Sequence, residues 1–137
     1  MFQNPSDDEV RALLKDVKRI AVVGLSPKPD RPSFGVSQVM QRAGYQIVPV
    51  RPMVTEVLGE PAYATLKDVP GKVDLVNVFR RAEEIDAVVD DAIAIGAPAI
   101  WIQLGIVNEA AAERARAAGL VVVMDKCIKI EYMRLCL

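Results

Sequence analysis

The chain has 137 residues, of which 52% are apolar, enough to bury a core and close to the usual size of one domain. Its 17 basic and 18 acidic residues form no basic run, which excludes the footprint of a duplex-binding protein, and no apolar segment approaches the roughly 18 residues of a membrane span. Histidine is absent, which excludes triads, dyads and phosphohistidine chemistry built on that side chain.

The start, MFQNPSDDEV, is acidic and polar where a secretory leader would be basic and then apolar, so we expect one cytoplasmic domain over residues 1–137. After Pro5, Ser6 and Glu9 form a capping-box pair, and Val10, Leu13, Leu14 and Val17 recur at helical spacing, predicting an amino-terminal helix. Ile20 to Gly24 reads as a fully buried first strand. The loop LSPKPDRP follows, and Ser33 is placed to cap a helix with the stripe Val36, Val39, Met40 and Ala43, closing at Gly44. Tyr45 to Val50 is the second strand. Residues 52–71 are irregular, with a short strand or turn and then one helical turn.

Val73 to Phe79 gives the next strand, followed by a helix with Ile85, Val88, Val89, Ala92 and Ile93 on one face. The acidic residues Glu83, Glu84, Asp86, Asp90 and Asp91 fall off that stripe and read as a solvated face. Ala99 to Leu104 is another strand, Asn108 caps an Ala-rich helix ending at Gly119, and Leu120 to Met124 is the last strand. Buried strands alternating with helices specify an α/β fold, a single Rossmann-like doubly wound domain with a mostly parallel sheet of about five strands flanked by helices. Cys127 and Cys136 lack metal-ligand spacing and read as small buried apolar residues, so no metal site is expected.

In such a sheet the ligand lies outside the carboxyl ends of the strands, so the residues to question are those that follow them. Gly24 allows a tight turn away from the first strand, and the helix start near Ser33 offers free amides to an anion. The loop between them, GLSPKPDRPSFG, contains Ser26, Pro27, Lys28, Arg31 and Pro32 but lacks G-x-G-x-x-G, which removes the main support for NAD. Arg51, before Pro52, stands where NAD-binding domains place an acid for the ribose. A cation there asks for a phosphate, either the 2′-phosphate of NADP or the 3′-phosphate of coenzyme A. Phe79 offers an apolar surface, Arg80 and Arg81 add charge at a helix start where cations call for a compensating anion, and Gln103 follows the fourth long strand.

These segments, IAVVGLSPKPDRPS, VPVRP, LGE, VDLVNVFRR, AIGAPAIWIQLGIVNE and MDKCIKIE, together resemble the small standalone CoA-binding proteins. The fold of that family is similar to the CoA-binding domain of the succinyl-CoA synthetase α subunit. The resemblance implies CoA across the strand ends, with its phosphates near Gly24, Ser26, Arg31 and Ser33, its adenosine near Arg51 and Pro52, and Phe79 and Arg80 lining the cleft. Relatives often read CIKIEH, so Tyr132 stands where they carry a histidine. Ligase chemistry that uses a phosphorylated histidine does not carry over. The leading expectation is therefore a non-catalytic module for CoA or an acyl-CoA. An NADP-linked oxidoreductase using Tyr132 with Lys126 or Lys129, and a CoA-responsive regulatory or partner-binding subunit, are the alternatives. Cys127, after the last strand, is expected to be structural although it could lie near the thiol of a bound CoA.

Overall fold

Ser6 opens the first helix, α1 (Asp7–Asp16), by the reciprocal pairing read in the sequence: its hydroxyl accepts the Glu9 amide at 3.2 Å, and the Glu9 carboxylate accepts the Ser6 amide at 3.1 Å. The computed structural model describes residues 1–137. Val10 and Leu14 bury the inner stripe of α1, and the chain then enters β1 (Arg19–Val23), α2 (Pro32–Arg42) and β2 (Gln46–Val50). A small hairpin follows, β3 (Glu56–Val57) and β4 (Glu60–Pro61), and then a single 3-10 turn at Leu66–Asp68. The rest alternates: β5 (Leu75–Val78), a 3-10 turn at Ala82–Glu84 running into α3 (Ile85–Ala94), β6 (Ala99–Ile102), α4 (Glu109–Ala117), β7 (Val121–Met124) and α5 (Ile128–Cys136).

The five long strands pair in parallel in the order β2-β1-β5-β6-β7, as the α/β reading requires. Along β1, Ile20 and Val22 join a core shared with Val10, Leu14, Val36, Met40, Ile128 and Leu135, from α1, α2 and α5. Ala21 and Val23 join the opposite core with Ile85, Val89, Ala111 and Ala115, from α3 and α4. Helices thus cover both faces, which is why the strands read as unbroken apolar runs.

Both sheet edges are closed by local devices. Beside β2, Tyr63 forms a single parallel bridge to Val50, donating its amide to Pro49 O at 3.0 Å and accepting the Arg51 amide at 2.8 Å. Beside β7, the Asn4 side chain stands in for a strand, donating to Met124 O at 2.9 Å and accepting the Met124 amide at 2.8 Å. No helix is long and apolar enough to cross a membrane.

Several local expectations are corrected. Ser33 is not the cap of α2; Arg31 occupies that position without a side-chain bond, because Pro32, whose fixed φ suits the first helical position, starts the helix earlier. Val39 is half-buried and Ala43 exposed, and the inner stripe runs instead through Ser33, Val36, Ser37 and Met40. Ile93, expected on the core face of α3, lies at its margin with 37% exposure. Within the irregular segment the chain forms two short strands, joined through Leu58 and Gly59 at φ 55 and 77, the positive values that a two-residue hairpin turn needs. The acidic residues around α3 do form a surface, and all five are engaged by cations: Arg114 bridges Asp86 at 3.1 Å and Asp90 at 2.6 Å, Lys67 reaches Asp91 at 3.7 Å, and Arg81 pairs with Glu83 and Glu84.

Candidate functional site

From β1 the chain passes to one side, into β2, and later returns to the other side as β5, so the loops after β1 and β5 diverge and leave a crevice at the carboxyl edge. Gly24 sits where those loops nearly touch. Its φ is 88, its amide donates to Val50 O at 2.8 Å, and a Cβ added there would lie 2.3 Å from the Phe79 carbonyl oxygen. Only glycine allows this approach.

The turn after Gly24 is held by its two serines. The Ser33 hydroxyl oxygen accepts the Ser26 amide at 2.9 Å, joining the loop to the first turn of α2, and the Ser26 hydroxyl oxygen accepts the Lys28 amide at 3.2 Å. Each serine acts as an acceptor in these bonds, so each O–H proton remains available to a ligand. The amide of Ser33, which lines the cleft, has no acceptor in the chain; that of Leu25 has none either, but the residue is buried away from the cleft. The Ser33 amide, the hydroxyl protons and the positive end of α2 make this turn a donor-rich seat for anions.

Around it lies a cleft of about 890 Å³. Gly24, Ser26, Pro27, Lys28, Arg31, Pro32 and Ser33 line one wall, Arg51 and Pro52 contribute from the end of β2, and Phe79, Arg80 and Arg81 from the end of β5. Every candidate cofactor-binding residue read from the sequence is therefore on this cleft except Gln103. That side chain is 3% exposed; its amide donates to Asn77 Oδ1 and its oxygen accepts the Ile128 amide at 3.4 Å, tying β5 to the start of α5. Met53, Val54, Glu84 and Ile106 also line the cleft and were not singled out from sequence. Met53 and Val54 simply continue the chain past Pro52, a position the strand-end rule already marks; Glu84 and Ile106 arrive through loop geometry that carries no local signal.

The charges are unequal in availability. Arg81 is paired with Glu83 at 3.4 Å and Glu84 at 3.5 Å, so the compensating anion expected for it comes from its own helical turn. Lys28, Arg31, Arg51 and Arg80 form no ion pair within the chain. Arg51 is oriented by its Nη1, which donates to Gly24 O at 3.2 Å, while its backbone is fixed by Tyr63. Four unpaired cations therefore border the donor-rich turn, against the single carboxylate of Glu84.

Tyr132, Lys126, Lys129 and Cys127 do not line this cleft. Tyr132 borders a separate cavity of about 300 Å³ with Tyr45 and Cys136, between the ends of α1 and α2. There the Tyr45 hydroxyl donates to Leu14 O, and its ring meets Tyr132 edge-on at 5.8 Å. Burial, and next the neighbouring Cys136 and Tyr132, push the Tyr45 phenol up to about 12. Cys127 is half-buried against the α1/α2/α5 core.

The family described as "CoA binding domain" matches residues 18–133, a span that contains the whole cleft. The chain belongs to this family. "Uncharacterized protein YneT" of Bacillus subtilis (strain 168) is 48% identical over 131 residues, covering 96% of this chain and 97% of that protein. The solved structure of a hypothetical protein from Pyrococcus horikoshii OT3 superposes with a TM-score of 0.93 at 34% identity, over 98% of this chain and 97% of that one. The fold also recurs in the dinucleotide-forming acetyl-coenzyme A synthetase 1 of Ca. Korarchaeum cryptofilum, with a TM-score of 0.74 at 23% identity over 88% of this chain and 28% of that one.

Proposed function

We propose that the chain binds coenzyme A or an acyl thioester of it along the carboxyl edge of the sheet, as a binding module without chemistry of its own. The observation that carries this reading is the set of unpaired cations, Lys28, Arg31, Arg51 and Arg80, beside a turn with a free Ser33 amide and free hydroxyl protons. Ser26, Arg31 and Ser33, beside Gly24, would hold the pyrophosphate, and Arg51 the 3′-phosphate. Phe79, with Met53 and Val54, supplies apolar surface to the remainder. The NADP reading gains no support from the cleft, since Tyr132, Lys126 and Lys129, its proposed proton donors, lie elsewhere.

Calorimetric titration with CoA and with dephospho-CoA tests the assignment. Arg51→Ala should weaken CoA by about tenfold to a hundredfold, the worth of one charge-assisted contact, and dephospho-CoA by much less. Equal losses for both ligands would remove Arg51 from the 3′-phosphate, and saturable binding of NADPH with none of CoA would restore the oxidoreductase alternative.

A further inference from the structure

The loop from Gln103 to Asn108, between β6 and α4, is fastened at four of its six residues yet displays large apolar side chains. The Gln103 amide donates to Val78 O at 3.3 Å and the Ile106 amide to Gln103 O at 3.1 Å, closing a turn in which Gly105 takes φ 86. The Gly105 amide donates to Asp125 Oδ1 at 2.8 Å, and the Asn108 side chain donates to Ala82 O at 2.9 Å, which fixes the loop against the segment that follows Arg81. On this rigid support Leu104 is 61% and Val107 49% exposed, while Ile106 between them lines the cleft. A packing role does not account for the two exposed side chains, since neither belongs to either core.

The cleft is therefore polarised. Its cations lie at the ends of β1, β2 and β5, and its wall at the end of β6 is the apolar Ile106, continuous in the chain with Leu104 and Val107, which stand beyond the lining. A ligand whose phosphates occupy the turn after β1 directs its thiol end away from them. We propose that Leu104, Ile106 and Val107 form a shelf for the acyl group of an uncharged aliphatic thioester, so that the ligand is an acyl-CoA in preference to free CoA. This rests on the CoA reading above. Asp125, whose carboxylate holds the Gly105 amide, places negative charge beside the shelf, so an acyl chain ending in a carboxylate is disfavoured there.

The test compares free CoA, hexanoyl-CoA and succinyl-CoA by calorimetry on the intact chain and on Leu104→Ser/Val107→Ser, both exposed positions. Each buried methylene is worth roughly three- to fourfold in affinity, so a partly open shelf should favour hexanoyl-CoA over CoA by about tenfold, with succinyl-CoA no tighter than CoA. The double variant should lose the hexanoyl preference and bind free CoA as before, which also reports that it is folded. Binding of CoA without any hexanoyl preference overturns the shelf alone. Failure of free CoA to bind overturns the underlying reading and the shelf with it. A variant that changes elution volume on size exclusion but keeps the hexanoyl preference assigns the patch to contact between copies, and overturns the proposal as well.

Discussion

At Gly24 two constraints coincide, a backbone conformation that side chains rarely adopt and a carbonyl oxygen 2.3 Å from where a Cβ would stand. The second is the stricter, because the oxygen belongs to Phe79 and the strand behind it cannot move aside without opening the sheet at β1 and β5. Gly24→Ala should cost about 2–4 kcal/mol in urea-induced unfolding, combining positive-φ strain with overpacking, and it should weaken ligand binding because the two loops bordering the cleft are forced apart. An alanine variant of wild-type stability would show that the approach of the two loops is not required. Ser33 has a different role from the helix cap that its position suggests. Its oxygen faces the loop instead of its own helix, and Ser33→Ala leaves the Ser26 amide without an acceptor at a buried site. A loss of about 1–3 kcal/mol on thermal or chemical unfolding is expected, and a change near zero would mean that water replaces the hydroxyl.

Among the elements, α1, α2 and α5 meet on one face of the sheet, and Tyr45 sits at their junction just before β2. Its phenol is stabilised in the neutral form, with an ordinary value of 10.0 raised to about 12. The sign follows directly: the unfolded chain ionises first, so this contribution to stability is complete below pH 10.0 and is lost as pH rises through the folded value of about 12. Ultraviolet titration should find one of the 3 tyrosines ionising near 12, and Tyr45→Phe should both remove that step and flatten the alkaline fall in stability. Three tyrosines titrating together near 10 would contradict the packing described. The long elements were legible in the sequence because both faces of the sheet are covered, which turns each strand into a run such as IAVV or LVNV. The β3–β4 hairpin was legible only as a short strand or turn, since two-residue strands carry no periodicity and its turn uses Leu58 at a positive φ where a glycine would have announced it. The start of α2 lies two residues earlier than the Ser33 cap suggests, because Pro32 is as good a first helical residue as Ser33 is a cap, and only the fold decides which is used.

For the whole molecule, a formal net charge of −1 conceals a strong local asymmetry. Most ion pairs, including Arg134 with Asp7 and Glu131 between α1 and α5, settle charge on the outer helices, while every cation of the cleft except Arg81 is left unmatched. The location of the cleft was legible because a doubly wound sheet leaves one crevice at its switch point, and residues from distant segments had to meet there. The assignment of Gln103 to it failed because a side chain just past a strand can turn inward, and the buried Asn77 oxygen, which needs a donor, gave it a reason to do so. Ile106 was not marked, and Glu84 was read as part of a solvated face, since their places depend on how the loops are tied. Because the central claim is electrostatic, titration with CoA and with pantetheine at low and high salt tests it most directly. The account predicts saturable CoA binding that weakens steeply with added salt, and pantetheine binding that is much weaker and insensitive to salt. CoA affinity that does not change with salt, or that pantetheine matches, would contradict it.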